Sequence, residues 1–147
     1  MEECTREEYE IGTFFYRMNQ TKDLIVNPAE QQSDWGNCIY FFLTEKDRER
    51  YNDHEHEHPI TLRNLQRLPY IKCTYECFST GNYNHDDMNR LFREIETLIG
   101  DEKPDGMPFL QWLGTRGYAF QCYNVGTWEI TIPVSLLSRL HFWEIVG

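Results

Sequence analysis

The chain has 147 residues, a formal net charge of −10 and five cysteines. This length can bury a core, and we expect residues 1–147 to form a single domain. The negative charge argues against binding to a nucleic-acid backbone, which needs a basic protein surface. The sequence contains no run of ~18 apolar residues, so we do not expect a membrane-spanning helix. The acidic N-terminus does not resemble a secretory signal and the cysteines are scattered, so we expect reduced thiols and a cytoplasmic location.

The first half of the chain predicts two strands and two short helices. Residues 13–18 (TFFYRM) are typical of a strand, and a short helix is expected within residues 21–30. Residues 37–43 (NCIYFFL) are almost entirely apolar, which predicts a strand buried on both faces. Thr44, with an acid three residues later, is typical of a helix cap, and its helix should end near residue 51.

The middle of the chain is less distinctive. Residues 52–59 are predicted to form a polar surface loop, in which His54, His56 and His58 alternate with acidic residues. Such side chains can bind zinc, but they lack a matching Cys or His pair at a diagnostic spacing, so we predict a solvated loop and no metal site. Residues 61–68 are predicted to form a helix and residues 70–78 a strand.

The last third contains the clearest helix, at residues 86–99, where apolar side chains recur at helical spacing. A turn-rich connection follows at 101–108, and then two or three strands, one of them at 126–133. A helical turn is expected at 135–140 and a last strand at 141–146. These elements predict an α+β domain with many short strands.

Four short segments, taken in order, resemble motifs of the mono-ADP-ribosyltransferase family. They are Tyr16-Arg17, residues 36–44 (GNCIYFFLT), residues 113–118 (LGTRGY) and residues 126–133 (GTWEITIP). The resemblance implies two small, packed, mostly antiparallel sheets with a few flanking helices, and NAD bound in a cleft between the sheets. It also implies transfer of ADP-ribose from NAD to a protein or small-molecule acceptor, as in toxin, phage or effector enzymes.

The same resemblance assigns roles to individual residues. Glu129 would be catalytic, because a carboxylate hydrogen-bonded to a ribose hydroxyl stabilises the positive charge that develops as nicotinamide leaves. Thr44 would support Glu129 by a hydrogen bond, Arg17 would hold the phosphates or the adenosine ribose, and Tyr40 would stack on nicotinamide. The residues assigned to cofactor binding are Arg17, Tyr40, Tyr16 and Gly36.

Three departures from the family pattern qualify these roles. Met18 follows Arg17 where the family often has glycine, and Gly36 lies four residues before Tyr40, farther than is usual in the family. Thr127 stands two residues before Glu129 where arginine-modifying members have Glu or Gln. Arginine is therefore unsupported as the acceptor.

Structural explanations also exist for each residue: a surface ion pair for Arg17, a core position for Tyr40, a helix cap for Thr44 and a solvated edge strand for Glu129.

A different class of function fits the charge of −10. The alternative is a non-catalytic acidic protein that mimics nucleic acid and binds or inhibits a basic partner.

Overall fold

A computed structural model of the chain describes residues 3–19, 38–49, 58–74, 85–124, 127–138 and 142–146. The strands are β1 (Cys4–Tyr9), β2 (Phe14–Asn19), β3 (Cys38–Phe42), β4 (His58–Asn64), β5 (Leu68–Cys73), β6 (Ala119–Asn124), β7 (Thr127–Pro133) and β8 (Trp143–Val146). The helices are α1 (Glu45–Glu49), α2 (His85–Ile99), α3 (Phe109–Thr115) and α4 (Val134–Leu137). None of these helices is both long and apolar enough to cross a membrane.

All eight described strands belong to one sheet, in the order β1-β5-β6-β7-β3-β2-β4-β8. Neighbours run antiparallel except β5 and β6, which are parallel. A parallel pair needs a long crossover, and the chain between these two strands contains α2 and α3. The α+β class with a mostly antiparallel sheet is confirmed, but the two separate sheets expected from the sequence are replaced by a single hydrogen-bonded one.

The sheet is strongly curled. Tyr9 on β1 and Phe15 on β2 have ring centroids 5.1 Å apart, although five strand spacings separate β1 from β2. In a flat sheet these strands would be about 24 Å apart. The four-residue connection between β1 and β2 brings these two strands together. It is held in place because the backbone nitrogens of Gly12 and Thr13 donate hydrogen bonds to Asn64 at the end of β4. One face of the sheet is therefore concave, and we call it the inner face; the other is the outer face.

Each face carries its own hydrophobic cluster. The inner face is packed with side chains such as Phe15, Phe41 and Ile130, together with Leu136 and Leu137 of α4. The outer face is covered over its β1-β5-β6 half by α2 and α3, which contribute Leu91, Ile95, Phe109, Leu110, Trp112 and Leu113. The amphipathic pattern of residues 86–99 is satisfied by this packing.

Several predicted elements are confirmed and others are wrong. The strands expected at 13–18, 37–43 and 126–133 are β2, β3 and β7, and the helix at 86–99 is α2. The helix expected at 61–68 is wrong, because this segment is the end of β4 and a turn into β5. β1 and α3 were not predicted, and the helix expected at 21–30 lies outside the described residues.

Candidate functional site

The motif-bearing strands are neighbours in the sheet, although they are far apart in the sequence. β7, β3 and β2 lie side by side. Glu129 on β7 is directly opposite Phe42 on β3, and Phe42 is directly opposite Tyr16 on β2. Residues in register on adjacent strands project from the same face. Glu129, Phe42 and Tyr16 therefore form a row on the outer face of the sheet.

Glu129 is buried at this position, with 7% of its surface exposed. Its neighbour on the other side is Cys122 of β6, again directly in register. The Glu129 carboxylate contributes to raising the pKa of both Cys122 and Tyr40, after the larger effect of burial on each group. Glu129 is thus electrostatically coupled to its row, rather than facing water on an edge strand.

Tyr40 lies on the same face as Glu129, two residues before Phe42 on β3. It is 42% exposed, so it is not the core residue that the apolar strand suggests. Its pKa is raised chiefly by burial of part of the side chain, and then by Cys38, which interacts with it through charge and a side-chain hydrogen bond. An exposed aromatic ring close to a buried carboxylate is available to contact a ligand.

The resemblance implies that Arg17 and Glu129 contact the same NAD molecule. The structure places Arg17 on the other side of the sheet. Arg17 follows Tyr16 on β2, and alternation along a strand puts its side chain on the opposite face from the row of Glu129. One terminal guanidinium nitrogen donates to the Tyr40 carbonyl at 3.1 Å, and Nε donates to the Asn19 side chain at 3.1 Å. Burial lowers the Arg17 pKa. In this arrangement Arg17 ties β2 to β3.

Thr44 caps α1, as the sequence indicates. Its hydroxyl accepts a hydrogen bond from the Asp47 backbone at 3.1 Å, and its carbonyl accepts one from Arg48. The support of Glu129 by Thr44 stays a prediction. Gly36 lies outside the described residues, as do His54 and His56. Among the described residues no group of three or more potential metal ligands comes together.

Arg48 is a candidate that the sequence analysis did not single out. It lies on α1 and is 8% exposed, although the helix is short and otherwise charged. Its guanidinium carbon is 5.2 Å from the centre of the Tyr16 ring. Arg48 therefore belongs to the outer-face site, beside the residue in line with Glu129.

The LGTRGY segment shapes the site indirectly. It forms the end of α3 and the turn into β6, and Gly117 adopts a φ of 85° there. Gly114 lies against Pro133 at the end of β7, where an added Cβ would come within 2.7 Å of the proline ring. This close approach seats α3 on the strand that carries Glu129.

Comparison of the chain with protein-family models, curated proteins and solved structures gives no match in any of the three.

Proposed function

We propose that the protein is an NAD-dependent mono-ADP-ribosyltransferase that transfers ADP-ribose to a protein or small-molecule acceptor. The observation that carries this proposal is the row of Glu129, Phe42 and Tyr16, where three motif segments lie on adjacent strands. If the four segments matched the family motifs only by chance, there would be no reason for three of them to lie on adjacent strands of the sheet.

The chemistry assigned to Glu129 suits a buried carboxylate. Loss of nicotinamide develops positive charge on the ribose ring, and a fixed negative charge stabilises it most effectively where water is excluded. Glu129 would accept a hydrogen bond from a ribose hydroxyl, and the exposed Tyr40 ring would stack against nicotinamide. NAD acts here as the substrate that supplies the ADP-ribosyl group.

The role of Arg17 changes in this proposal. Its guanidinium is engaged with the Tyr40 carbonyl and with Asn19 on the side of the sheet away from Glu129. Arg17 would hold β3 in place beside β2, and so fix Tyr40, rather than bind the phosphates itself. It is a positioning residue.

The alternative of an acidic nucleic-acid mimic has less support. Several acidic side chains are engaged in ion pairs or hydrogen bonds within the protein. The ion pairs include Glu144 with Arg63, Glu3 with Arg90, and Asp101 with Arg116. Glu94 and Glu96 accept hydrogen bonds from backbone nitrogens. A mimic of a polyanion needs its carboxylates unpaired and facing one partner.

The direct test is nicotinamide release from NAD, with and without an acceptor extract, by the native protein and by Glu129→Gln. We expect Glu129→Gln to lower the rate by roughly 10²–10³, because a preorganised group at the reacting centre is lost. Glu102→Gln makes the same change of charge at an exposed position and should leave the rate unaltered. Equal rates for the native protein and Glu129→Gln would remove the carboxylate from the mechanism.

A further inference from the structure

Within the part of the chain that the structure describes, Arg48 is buried without the full set of hydrogen-bond partners that a buried guanidinium needs. One of its terminal nitrogens donates to the Thr61 hydroxyl at 3.1 Å and reaches the Ile60 carbonyl at 3.5 Å. Its Nε is shielded from solvent and has no hydrogen-bond partner among the described residues. Glu49 is 3.9 Å from Nε, which is beyond hydrogen-bonding distance, and the Glu49 side chain is 58% exposed.

An unsatisfied donor on a buried charged group is costly. The loss of free energy is larger for a charged group than for a neutral one. Arginine is also suited to bind two oxygens at once, because its planar fork matches carboxylate and phosphate geometry. Arg48 thus retains binding capacity that the described contacts of the fold do not use.

The position of Arg48 relates this capacity to Glu129. Its guanidinium lies over Tyr16 and bonds to Thr61 of β4, and Thr61 is directly opposite Tyr16. Tyr16 is two strands from Glu129 on the same face, or about 10 Å from backbone to backbone. Arg48 lies over Tyr16 and reaches the next strand, so it is roughly two to three strand spacings from Glu129. One nucleotide can bridge such a span, with its diphosphate at the arginine and its ribose at the carboxylate.

We infer that Arg48 binds the diphosphate of the nucleotide whose ribose contacts Glu129. This inference rests on the proposed function and extends it, because it gives Arg48 the phosphate-binding role that the resemblance assigned to Arg17. The guanidinium of Arg48 also makes a cation–π contact with the Tyr16 ring. The diphosphate oxygens would complete the hydrogen bonding of Arg48 and offset its buried charge.

Arg63 provides a matched control. It lies two residues after Thr61 on β4, and so on the same face, and its Nε also lacks a partner among the described residues. Unlike Arg48, it is paired through a terminal nitrogen with Glu144 on β8. Replacing Arg63 removes the same charge from the same face of the sheet. A general electrostatic effect would appear equally in both variants, whereas a bound diphosphate would distinguish them.

The experiment measures binding of ADP, inorganic pyrophosphate and nicotinamide to the native protein, Arg48→Gln, Arg48→Lys and Arg63→Gln by calorimetry. We expect Arg48→Gln to weaken ADP and pyrophosphate binding by roughly 10- to 100-fold and to leave nicotinamide binding unchanged. Arg48→Lys should retain part of the affinity, because it keeps the charge and loses the fork. Arg63→Gln should bind like the native protein. Thermal unfolding confirms that each variant is folded.

The outcomes separate this inference from the proposed function. ADP and pyrophosphate binding that depends on Arg48, without nicotinamide release from NAD, would support the anion site and refute the transferase. Turnover of NAD with an unchanged KM in both Arg48 variants would refute the role of Arg48 and leave the transferase standing. Failure of ADP and pyrophosphate to bind the native protein, or equal weakening in Arg48→Gln and Arg63→Gln, would also overturn it.

Discussion

Cys122 shows how closely the side chains of the outer-face row influence one another. It lies in register between Cys73 on β5 and Glu129 on β7. Burial raises the Cys122 pKa to about 12, with further contributions from the Glu129 carboxylate and from Cys73. The thiol is therefore held neutral beside the proposed catalytic carboxylate.

This shift predicts a loss of stability in alkali. The Cys122 thiol ionises near its ordinary value of 9.0 in the unfolded chain and near 12 in the folded protein. Its contribution is thus complete below pH 9 and declines as the pH rises towards 12. Between pH 8 and pH 10 the free energy of unfolding should fall by about 1.4 kcal/mol from this group. Urea titrations at the two pH values measure the change.

The control for this prediction is Cys122→Ala. Its loss of stability between pH 8 and pH 10 should be smaller than that of the native protein. It should not vanish, because Tyr9 and Cys4 also have raised pKa values. An identical loss in both proteins would show that Cys122 does not contribute.

The sequence draws attention to Glu129 because an acid within an apolar strand is unusual. No comparable signal exists for Arg48, which lies in a segment of five charged or polar residues that is typical of a solvated helix. Its burial follows from the packing of α1 against β2 and β3, and a single sequence does not contain that information. Arg17 was misplaced for a related reason. The sequence puts it on the right strand, but the face it occupies depends on the register with β3.

At the level of elements, the contact between α3 and the end of β7 leaves no room for a side chain at Gly114. A Cβ there would lie 2.3 Å from the Ser135 hydroxyl oxygen and 2.7 Å from the Cβ of Pro133. The serine can rotate away, but the proline ring cannot. The glycine thus allows the helix to approach the strand closely.

We expect Gly114→Ala to destabilise the protein, although alanine is the better helix former. Overpacking at a rigid neighbour costs roughly 1–3 kcal/mol, against a gain in helix propensity of about 1 kcal/mol. Urea unfolding should show a net loss. Gln111→Ala, at an exposed position of the same helix, should leave the midpoint nearly unchanged. An increase in stability for Gly114→Ala would mean that α3 can move away from Pro133.

The errors in element prediction have physical causes. In β4 the buried residues alternate, as Ile60, Leu62 and Asn64, but the strand is short and its one arginine, Arg63, is equally typical of a helix surface. In β1 the four central residues are exposed and only Cys4 and Tyr9 are buried, so no apolar pattern marks the strand. Long periodic segments such as α2 are predictable because their pattern is repeated over several turns.

At the scale of the whole molecule, the curl of the sheet is closed by aromatic contacts around Tyr9. Its ring stacks on Tyr70 with centroids 3.8 Å apart and meets the edge of Phe15. Its hydroxyl donates to the side-chain oxygen of Gln121 at 2.5 Å, and both residues are buried. Contacts between distant strands of this kind determine whether the chain forms one curled sheet or two separate ones. Local sequence patterns do not encode them.

Removal of the Tyr9 hydroxyl should weaken this closure. Tyr9→Phe keeps the ring packing but leaves the Gln121 oxygen without its donor, which costs about 1–3 kcal/mol for a buried group. Tyr70→Phe removes a hydroxyl from the stacked partner and is the matched control. Denaturant midpoints should fall more for Tyr9→Phe than for Tyr70→Phe, and equal midpoints would argue against a structural role for the hydrogen bond.

Among the described residues, β1 and β8 are the two edge strands of the sheet, and this arrangement has a consequence for self-association. β1 exposes Thr5, Arg6, Glu7 and Glu8 along its length, and charges on an edge discourage another chain from adding a strand. β8 is only four residues long, but Ile145 is 54% exposed next to Glu144. The β8 edge is therefore less protected than the β1 edge. If the charge of Glu144 were neutralised, strands from other chains would add to the sheet at β8 first.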